Sequence, residues 1–561
     1  MKKIISLTLV FMMLFAVMSP VASAADAYGY ERLPIIYIRG NGEILYDTDG
    51  NPVAAEIKDL DLGADENGEG GIDKDVIVET AVNILKPFVL EGLLFDEWDN
   101  YGQAIYDEIS PLFEKAFLDE NGNSKDGVAV SQKVLAESEN AAKNASIYGE
   151  YNFIYDWRLS PYDHVDRLHQ YIKDIIDSSG ARKVNIFARC MGGSLLMAYL
   201  EKYGDQELVK NVMFCDVLSN GKALASKAMS GQIAFDATEI ERYMGQLNYL
   251  GEIGLGSIDI GDVLYEIVYD TMEFFNQIYV TDTALDGVEE LYNKLYKALI
   301  PALLHASGMA SQVNYWTMVY EEDFDAALDL LYGKKGSELR TKYAGLIDKI
   351  DYYRNHVTKK LDELYLKYEY EYGIHVGFQA KYGYMDLPLI EDCDKTGDAT
   401  VSLSDAGYKV TAAPIGQTLS DDYIAKRVAE GKGKYISVDK EVDASTALFP
   451  DTTWIIKNAH HDFFRPGDAI ARWFLCGTNV TIDTDLAQYP QYMVYYEKAD
   501  QSGIWEPLTE ENCADYEWIS APTEEPTIPS RLIAMFRFFT RIMDFLLAIV
   551  KGELDFSNLL G

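Results

Sequence analysis

Apolar positions in the first half of the chain follow two different spacings. Short runs rich in β-branched and aromatic residues, typical of buried strands, occur at Leu33–Ile38, Tyr151–Tyr155 and Val209–Phe214. Val165–Ser178 instead has its apolar residues at helical spacing, and Val184–Leu200 begins as a strand-like run that turns through small residues into an apolar helix. Strands that alternate with helices need right-handed crossovers, so the pattern predicts an α/β fold with a mostly parallel sheet and helices on both faces.

The pattern changes between about Ser219 and Tyr372. Strand signals become rare, Tyr and Leu are frequent, and three segments have helical spacing over several turns: Ile258–Tyr279, Val288–Leu304 and Tyr343–Tyr370. Such an insertion predicts a helical subdomain, and the pattern by itself leaves open whether it is purely structural or a lid over an apolar substrate cleft.

Strand signals return after this helical insertion. Ile374–Gln379 and Thr453–Lys457 are predicted strands, and a predicted helix at Asp468–Phe474 follows the second of them. Beyond Gly477, short strands such as Tyr492–Tyr496 indicate a small accessory segment.

The two ends of the chain are apolar in different ways. Met1–Ala24 carries two early lysines, an apolar run and a final Ala-Ser-Ala, which together predict a bacterial signal peptide and a secreted or extracytoplasmic protein. Arg531–Val550 is interrupted by Arg537, Arg541 and Asp544, which disfavour a membrane-spanning helix. We expect an amphipathic helix that docks on the body of the protein or makes peripheral contact with a lipid surface.

Composition narrows the classes of partner and cofactor. The 561 residues are 48% hydrophobic and 25% charged, as in a globular protein, and the net charge of −41 argues against a nucleic-acid partner. The five cysteines are widely spaced and form no C-x-x-C pair, so neither a metal site nor a redox motif is indicated and no cofactor is predicted. At least one thiol should stay unpaired, and we expect it to be Cys190.

Cys190 stands between a predicted strand and a predicted helix. Small residues at Ala188 and Gly192 would let the strand and helix approach each other around a sharp turn. The free N–H groups at the start of the helix would favour the thiolate of Cys190 over the thiol. The alternative is that Cys190 is a small buried hydrophobic residue, the usual role of a free cysteine.

The segment Phe187–Gly193 resembles the G-H-S-M-G-G nucleophile elbow of α/β-hydrolase lipases, with Ala188, Arg189 and Cys190 in place of Gly, His and Ser. Tyr155–Arg158 is similar to the Y-D-W-R segment of lecithin:cholesterol acyltransferase-like lipases. This resemblance implies an α/β-hydrolase fold, a large helical lid and a cysteine nucleophile.

The resemblance also implies an oxyanion hole. The predicted strand Leu33–Ile38 leads into Arg39–Gly42, which resembles the H-G-x-G loop of these hydrolases. By this likeness the backbone N–H groups of Asn41 or Gly42 and of Met191 would stabilise the oxyanion.

The remaining two members of a triad come from the second half of the chain. Thr396–Leu403 is similar to the G-D-G-T-V segment that carries the catalytic acid in the same lipases, which implies that role for Asp398. Two adjacent histidines follow the predicted strand Thr453–Lys457, in the chain order nucleophile, acid, histidine. We favour His461 as the catalytic base and keep His460 as the alternative.

The predicted function is hydrolysis of carboxylic esters, as in a lipase or esterase, through a Cys-His-Asp triad and an acyl-enzyme. The expected substrate is an ester or lipid-like small molecule. An acyltransferase that uses the same cysteine, including one similar to polyester synthases, is an alternative because thioesters transfer their acyl group readily. A second alternative is an inactive binding protein on the hydrolase fold, which Ala188 and Arg189 favour.

These assignments divide the chain into six predicted parts. They are a signal peptide at 1–24, the first half of the hydrolase core at 25–218, the helical insertion at 219–372, the second half of the core at 373–480, an accessory segment at 481–527 and the C-terminal helix at 528–561.

Overall fold

The structure is a computed structural model. It describes residues 32–40, 43–53, 83, 86–233, 286–388, 390, 395–461, 465–496 and 504–514, with single positions between 239 and 249 and at 519. The predicted signal peptide, the predicted helix Ile258–Tyr279 and the predicted C-terminal helix Arg531–Val550 lie outside these residues.

Thirteen strands are present in the described residues. They are β1 Ile35–Ile38, β2 Leu45–Tyr46, β3 Pro52–Val53, β4 Ala129–Val130, β5 Glu150–Asn152, β6 Val184–Arg189, β7 Val209–Cys215, β8 His375–Tyr382, β9 Thr411–Ala412, β10 Val442–Asp443, β11 Thr453–Lys457, β12 Tyr492–Tyr496 and β13 Ile504–Pro507.

The described α-helices flank these strands. They are α1 Trp98–Phe113, α2 Gln132–Lys143, α3 Val165–Ser179, α4 Gly192–Tyr203, α5 Ala223–Ser230, α6 Asp286–Ala306, α7 Phe324–Tyr332, α8 Glu338–Lys342, α9 Ala344–His356, α10 Leu361–Tyr370, α11 Leu403–Ala406, α12 Asp421–Ala429 and α13 Arg465–Cys476. None of the helices in the described part of the chain combines the length and apolar character needed to cross a membrane.

Eight of the strands form one sheet in the order β13-β12-β11-β8-β7-β6-β1-β5. Every neighbouring pair from β5 to β12 is parallel, and only β12 and β13 are antiparallel. The predicted α/β fold with a mostly parallel sheet is therefore confirmed. Because the strands run parallel, the carboxyl ends of β1, β6, β7, β8 and β11 lie along one edge of the sheet, where the loops that follow them can meet.

Alternate residues of the strands are buried against helices on the two faces of the sheet. Ile36 of β1 belongs to the same buried cluster as Ile172 of α3, whereas its neighbour Ile35 belongs to the cluster of Phe474 in α13. Burying each such side chain stabilises the fold by about 1.5–3 kcal/mol. Burial on both faces explains why the central strands appear in the sequence as nearly continuous apolar runs.

Two asparagines interrupt the apolar strands β6 and β7. Asn185 and Asn211 are buried, and their side-chain amides donate to the carbonyl oxygen of Leu475 at 2.6 and 2.8 Å. These bonds satisfy a carbonyl at the end of α13 that has no partner within the helix. They fix α13 against the sheet, and the loop before this helix carries the two candidate histidines.

The helical insertion departs from its predicted outline in one place. The segment Tyr343–Tyr370 forms two helices, α9 and α10, separated by a short 3-10 turn at Thr358–Lys360. The helical spacing on both sides of Val357 is correct, but this residue has φ −118° and ψ −67°, so the chain bends there. Its fully buried side chain packs in the main core cluster, and tertiary packing thus outweighs the local helical pattern.

Candidate active site

Cys190 occupies the sharp turn between β6 and α4. Its φ angle is +53°, a left-handed conformation that a residue with a side chain rarely adopts. The Cys190 N–H donates to the carbonyl of Cys215 at 3.3 Å, and its own carbonyl accepts from the N–H of Gly193 at 3.1 Å. These bonds hold a conformation that costs of order 1–3 kcal/mol, as is common where a reactive side chain must be presented.

Two glycines allow the chain to close around Cys190. A Cβ atom at Gly192 would lie 2.2 Å from the carbonyl oxygen of Ile38, so no larger residue fits there. A Cβ at Gly40 would lie 2.9 Å from Cβ and 3.1 Å from Sγ of Cys190. The loop after β1 therefore passes directly over the sulfur. The predicted oxyanion donors Asn41 and Gly42 follow in this loop, but they lie outside the described residues.

The backbone of Met191, the other predicted oxyanion donor, is described. Its nitrogen would lie 3.1 Å from a Cβ atom at Gly40, which places it beside Cys190 and the β1 loop. The Met191 N–H also forms a hydrogen bond to the Cys190 side chain, which favours the thiolate. Met191 precedes α4 directly, so the positive end of that helix faces the same point.

The structure brings the predicted acid and histidine together although they belong to different loops. Oδ2 of Asp398 lies 2.7 Å from Nδ1 of His461, and both side chains are buried. The other oxygen of Asp398 accepts from the N–H groups of Thr400 and Val401 at 3.0 and 2.8 Å. In addition, the N–H of His461 donates to the carbonyl of Asp398 at 2.7 Å. Hydrogen bonds of both the side chains and the main chain thus hold Asp398 against His461.

His461 also forms a hydrogen bond to the Cys190 side chain, which completes a chain from sulfur through imidazole to carboxylate. Burial disfavours the thiolate, but the positive His461 and its hydrogen bond outweigh this and hold the pKa of Cys190 below its usual value. Burial likewise opposes the imidazolium, yet Asp398 and Cys190 raise the pKa of His461 to about 10. The site therefore favours the thiolate of Cys190 and the imidazolium of His461 more strongly than water does.

The same contacts distinguish the two histidines. The ring of His460 packs edge-on against Tyr384, with ring centroids 5.5 Å apart, whereas the ring of His461 bonds to both Asp398 and Cys190. Asn458 between the strand and the histidines has a φ of +61°, which turns the chain sharply after β11. The geometry is that expected for His461 and not for the alternative His460.

Three further residues of the site were not identified from the sequence. The guanidinium of Arg189 donates to the carbonyl oxygen of His461. The ammonium of Lys381 lies 3.4 Å from the same oxygen and 2.7 Å from the carboxylate of Asp216. A lysine within the apolar strand β8 and an aspartate directly after β7 were the sequence signals that could have revealed this pair, since both point to a buried charge at the site edge of the sheet.

Asp216, Asp398 and His461 each have one polar atom within 4.8 Å of the others, a spacing that a metal ion could bridge. The neighbouring groups argue against such a site. The ammonium of Lys381 already neutralises Asp216, and the Nδ1 proton of His461 bonds to Asp398. We interpret the cluster as a hydrogen-bonded network of charges.

Cys190 is a free thiol, as expected from the sequence, and so is Cys513. The chain matches no protein-family model, and no curated protein or solved structure matches it either. The function of the site must therefore be inferred from its own geometry and from the sequence resemblance.

Proposed function

We propose that the protein is an exported α/β-hydrolase that cleaves carboxylic esters through a Cys190–His461–Asp398 triad. The observation that carries the proposal is the continuous hydrogen-bonded chain from the buried sulfur through the imidazole to the carboxylate. This arrangement of nucleophile, base and orienting acid is recognised by its geometry and roles rather than by sequence position.

Each step of the proposed reaction uses a group in the site. The thiolate of Cys190 attacks the ester carbonyl carbon, and the carbonyl electron pair moves to oxygen, where backbone N–H groups such as that of Met191 stabilise it. The intermediate collapses with cleavage of the ester bond, and His461 gives its proton to the departing alcohol. Water then attacks the thioester while His461 accepts a proton, and release of the acid restores the thiolate beside the imidazolium.

Asp398 holds His461 in the correct tautomer throughout this cycle, because its Oδ2 accepts the Nδ1 proton and leaves the other ring nitrogen for the sulfur and the substrate. Loss of one oxyanion donor typically reduces the rate by about a hundred- to a thousandfold. The preformed turn at Cys190 is thus expected to supply a large part of the catalysis.

The helical insertion fits the role of a lid in this proposal. The 3-10 segment Val313–Met318 lies against the helix that follows the nucleophile, where the hydroxyl groups of Thr317 and Ser194 are 2.7 Å apart. On the other side, the hydroxyl of Tyr320 donates to the carboxylate of Asp405 at 2.8 Å, four residues after the end of the Gly397–Val401 turn that carries the acid. The insertion therefore contacts the segments that follow Cys190 and Asp398 in the chain.

The direct test is hydrolysis of short- and long-chain p-nitrophenyl esters with and without prior alkylation by iodoacetamide. We expect turnover in the wild type, loss of turnover in Cys190→Ala, and reduced but measurable turnover in Cys190→Ser, because a serine can still use His461 as a base. Cys513→Ser, at the half-exposed thiol, is the matched control and should behave as the wild type. Hydrolysis that survives in Cys190→Ala would contradict the proposal.

The presence of a cysteine nucleophile favours one second candidate, an acyltransferase. A thioester intermediate transfers its acyl group readily to amines and thiols, so an acceptor other than water could complete the reaction. Addition of an amine, thiol or alcohol acceptor to the ester assay separates the two activities by the ratio of acyl product to free acid. No turnover with any ester, together with no alkylation of Cys190, would instead favour an inactive binding protein, as Ala188 and Arg189 suggest.

A further inference from the structure

A second carboxylate lies beside the proposed triad at the end of the neighbouring strand. Asp216 follows β7 and is only 1% exposed, and its φ of +46° turns its chain away from the strand direction. Its N–H donates to the carbonyl of Gln379 in β8 at 3.0 Å. The main chain thus fixes Asp216 at the site edge of the sheet.

The carboxylate of Asp216 is bonded on one side only. Oδ2 lies 2.7 Å from the ammonium of Lys381, which is 2% exposed, whereas Oδ1 is buried and makes no hydrogen bond within the described residues. Leaving a buried polar atom without a partner costs about 1–3 kcal/mol, and such atoms in a native fold call for an explanation. One polar atom of Asp216 is within 4.8 Å of both Asp398 and His461, so the carboxylate lies against the imidazole and its acid.

Lys381 connects this carboxylate to the histidine loop. Its ammonium lies 3.3 and 3.4 Å from the carbonyl oxygens of His460 and His461. The lysine therefore holds the main chain that carries the proposed base. A second positive charge close to an imidazolium would normally oppose protonation of the ring.

We propose that Asp216 is a positioning residue, which neutralises Lys381 so that this lysine can hold the His461 main chain without opposing the positive charge of the imidazole. The inference rests on the proposed function, since it assigns Asp216 a role in maintaining the thiolate and imidazolium. Asp216 itself forms and breaks no bond in the reaction.

The charged groups around the imidazole come from three of the strands that end at the site. Asp398 follows β8 and Lys381 lies within it, Asp216 follows β7, and Arg189 ends β6 with Cys190 directly after it. Among other titratable groups nearby, the phenol of Tyr155 faces Cys190, and that of Tyr384 packs against the neighbouring His460. The Asp216 carboxylate, 2.7 Å from the Lys381 ammonium, balances that charge directly.

The rate of Cys190 alkylation by iodoacetamide, measured from pH 4 to 11, tests the inference on the full-length protein. Two ionisations should be visible in the wild type, because a thiolate beside an imidazolium reacts at a different rate from a thiolate beside a neutral ring. In Asp216→Asn the unbalanced Lys381 should move the upper inflection to lower pH by about 1 unit. Lys381→Met should move it upward, and the double variant should return towards the wild-type profile.

The matched control is Asp439→Asn, which removes the carboxylate of another buried Lys–Asp pair, Lys457–Asp439 at 2.9 Å. It should leave the profile unchanged. Thermal melting and Asp216→Glu, which keeps the charge, separate loss of folding from loss of positioning. If the upper inflection of the alkylation profile is unchanged in both Asp216→Asn and Lys381→Met, the role proposed for Asp216 is wrong. That result would leave the proposed function standing. Absence of the two ionisations in the wild type would instead overturn the proposed function.

Discussion

Two buried lysines on neighbouring strands show how differently this sheet uses the same residue type. Lys457 of β11 bonds to Asp439 and Glu441 at 2.9 and 2.6 Å and to the carbonyl of Cys513 at 2.9 Å. Lys381 of β8 lies 2.7 Å from the carboxylate of Asp216 and 3.3 and 3.4 Å from two carbonyl oxygens of the histidine loop. Its partner Asp216 keeps one oxygen without a hydrogen bond within the described residues.

The difference shows where a buried carboxylate oxygen is left without a hydrogen bond among the described residues. A buried ion pair stabilises a protein only when its desolvation is matched by good geometry and further hydrogen bonds, as at Lys457. At the Lys381–Asp216 pair, one carboxylate oxygen of Asp216 has no hydrogen bond within the described residues, and the carboxylate lies beside the imidazole of His461 and the carboxylate of Asp398. We therefore interpret the Lys457 cluster as structural and the Lys381 pair as part of the site.

The largest expected effect is on kcat, from a substitution in the candidate active site. Asp398→Asn should reduce kcat for ester hydrolysis by about ten-thousandfold in a folded protein, because His461 loses the acceptor that fixes its tautomer. Steady-state kinetics with p-nitrophenyl esters measure it. Asp405→Asn, at a half-buried carboxylate in the segment that follows, is the control. A reduction of less than tenfold in Asp398→Asn would mean that Asp398 does not orient the base.

Lys457→Met tests whether the Lys457 cluster serves only to stabilise the fold. Two buried carboxylates would lose their cation, which should lower the free energy of unfolding by about 3–5 kcal/mol. Urea unfolding measures this loss, and the pH profile of Cys190 alkylation in the folded variant should match the wild type. A shifted profile would show that the Lys457 cluster also acts on the site, and the distinction between the two lysines would fail.

The charge state of His461 gives a pH-dependent test. Its pKa is raised from 6.5 to about 10 in the folded protein, so the stability it contributes is fully present below pH 6.5 and is lost as the pH rises through about 10. The difference in unfolding free energy between the wild type and His461→Gln should therefore shrink over this range. His460→Gln controls for loss of an imidazole from the same loop. A difference that stays constant with pH would exclude the ion pair.

The smallest effect concerns the half-buried carboxylate of Asp405, to which the hydroxyl groups of Tyr320 and Ser402 donate. Burial raises its pKa from 3.8 to about 6, so the stability it contributes is present below pH 3.8 and is lost as the pH rises through 6. Asp405→Asn should remove this part of the pH dependence, as measured by urea unfolding between pH 4 and 7.

Tyr320→Phe tests the contribution of Asp405 to the pH dependence of stability in a second way. Because the phenol stabilises the charged carboxylate, its removal should raise the pKa of Asp405 further and steepen the fall in stability with pH. An identical slope in wild type and both variants would show that another group dominates stability in this range.

Local patterns predicted most of the strands and the nucleophile. The strand at Thr453–Lys457 has the predicted bounds, and the helix at Val165 was predicted one residue short. The turn at Cys190 was recognisable because small residues must flank it whatever the rest of the fold does. The division of Tyr343–Tyr370 into two helices was not, since it depends on the burial of Val357 by distant parts of the chain. The predicted domain boundaries stay predictions.

The amino-acid sequence by itself determined the α/β alternation, the strained turn that presents Cys190, and Asp398 and His461 as its candidate partners. The alternation and the turn depend on residues close together in the chain, where steric and hydrophobic patterns act directly, whereas Asp398 and His461 were named by the resemblance to lipase motifs. Only the tertiary structure showed that the ring of His461, and not that of His460, bonds to Asp398, and placed Arg189, Lys381 and Asp216 near it. Their relation depends on loops from four parallel strands that meet at one edge of a sheet, and the distances between such loops are set by packing and not by sequence separation.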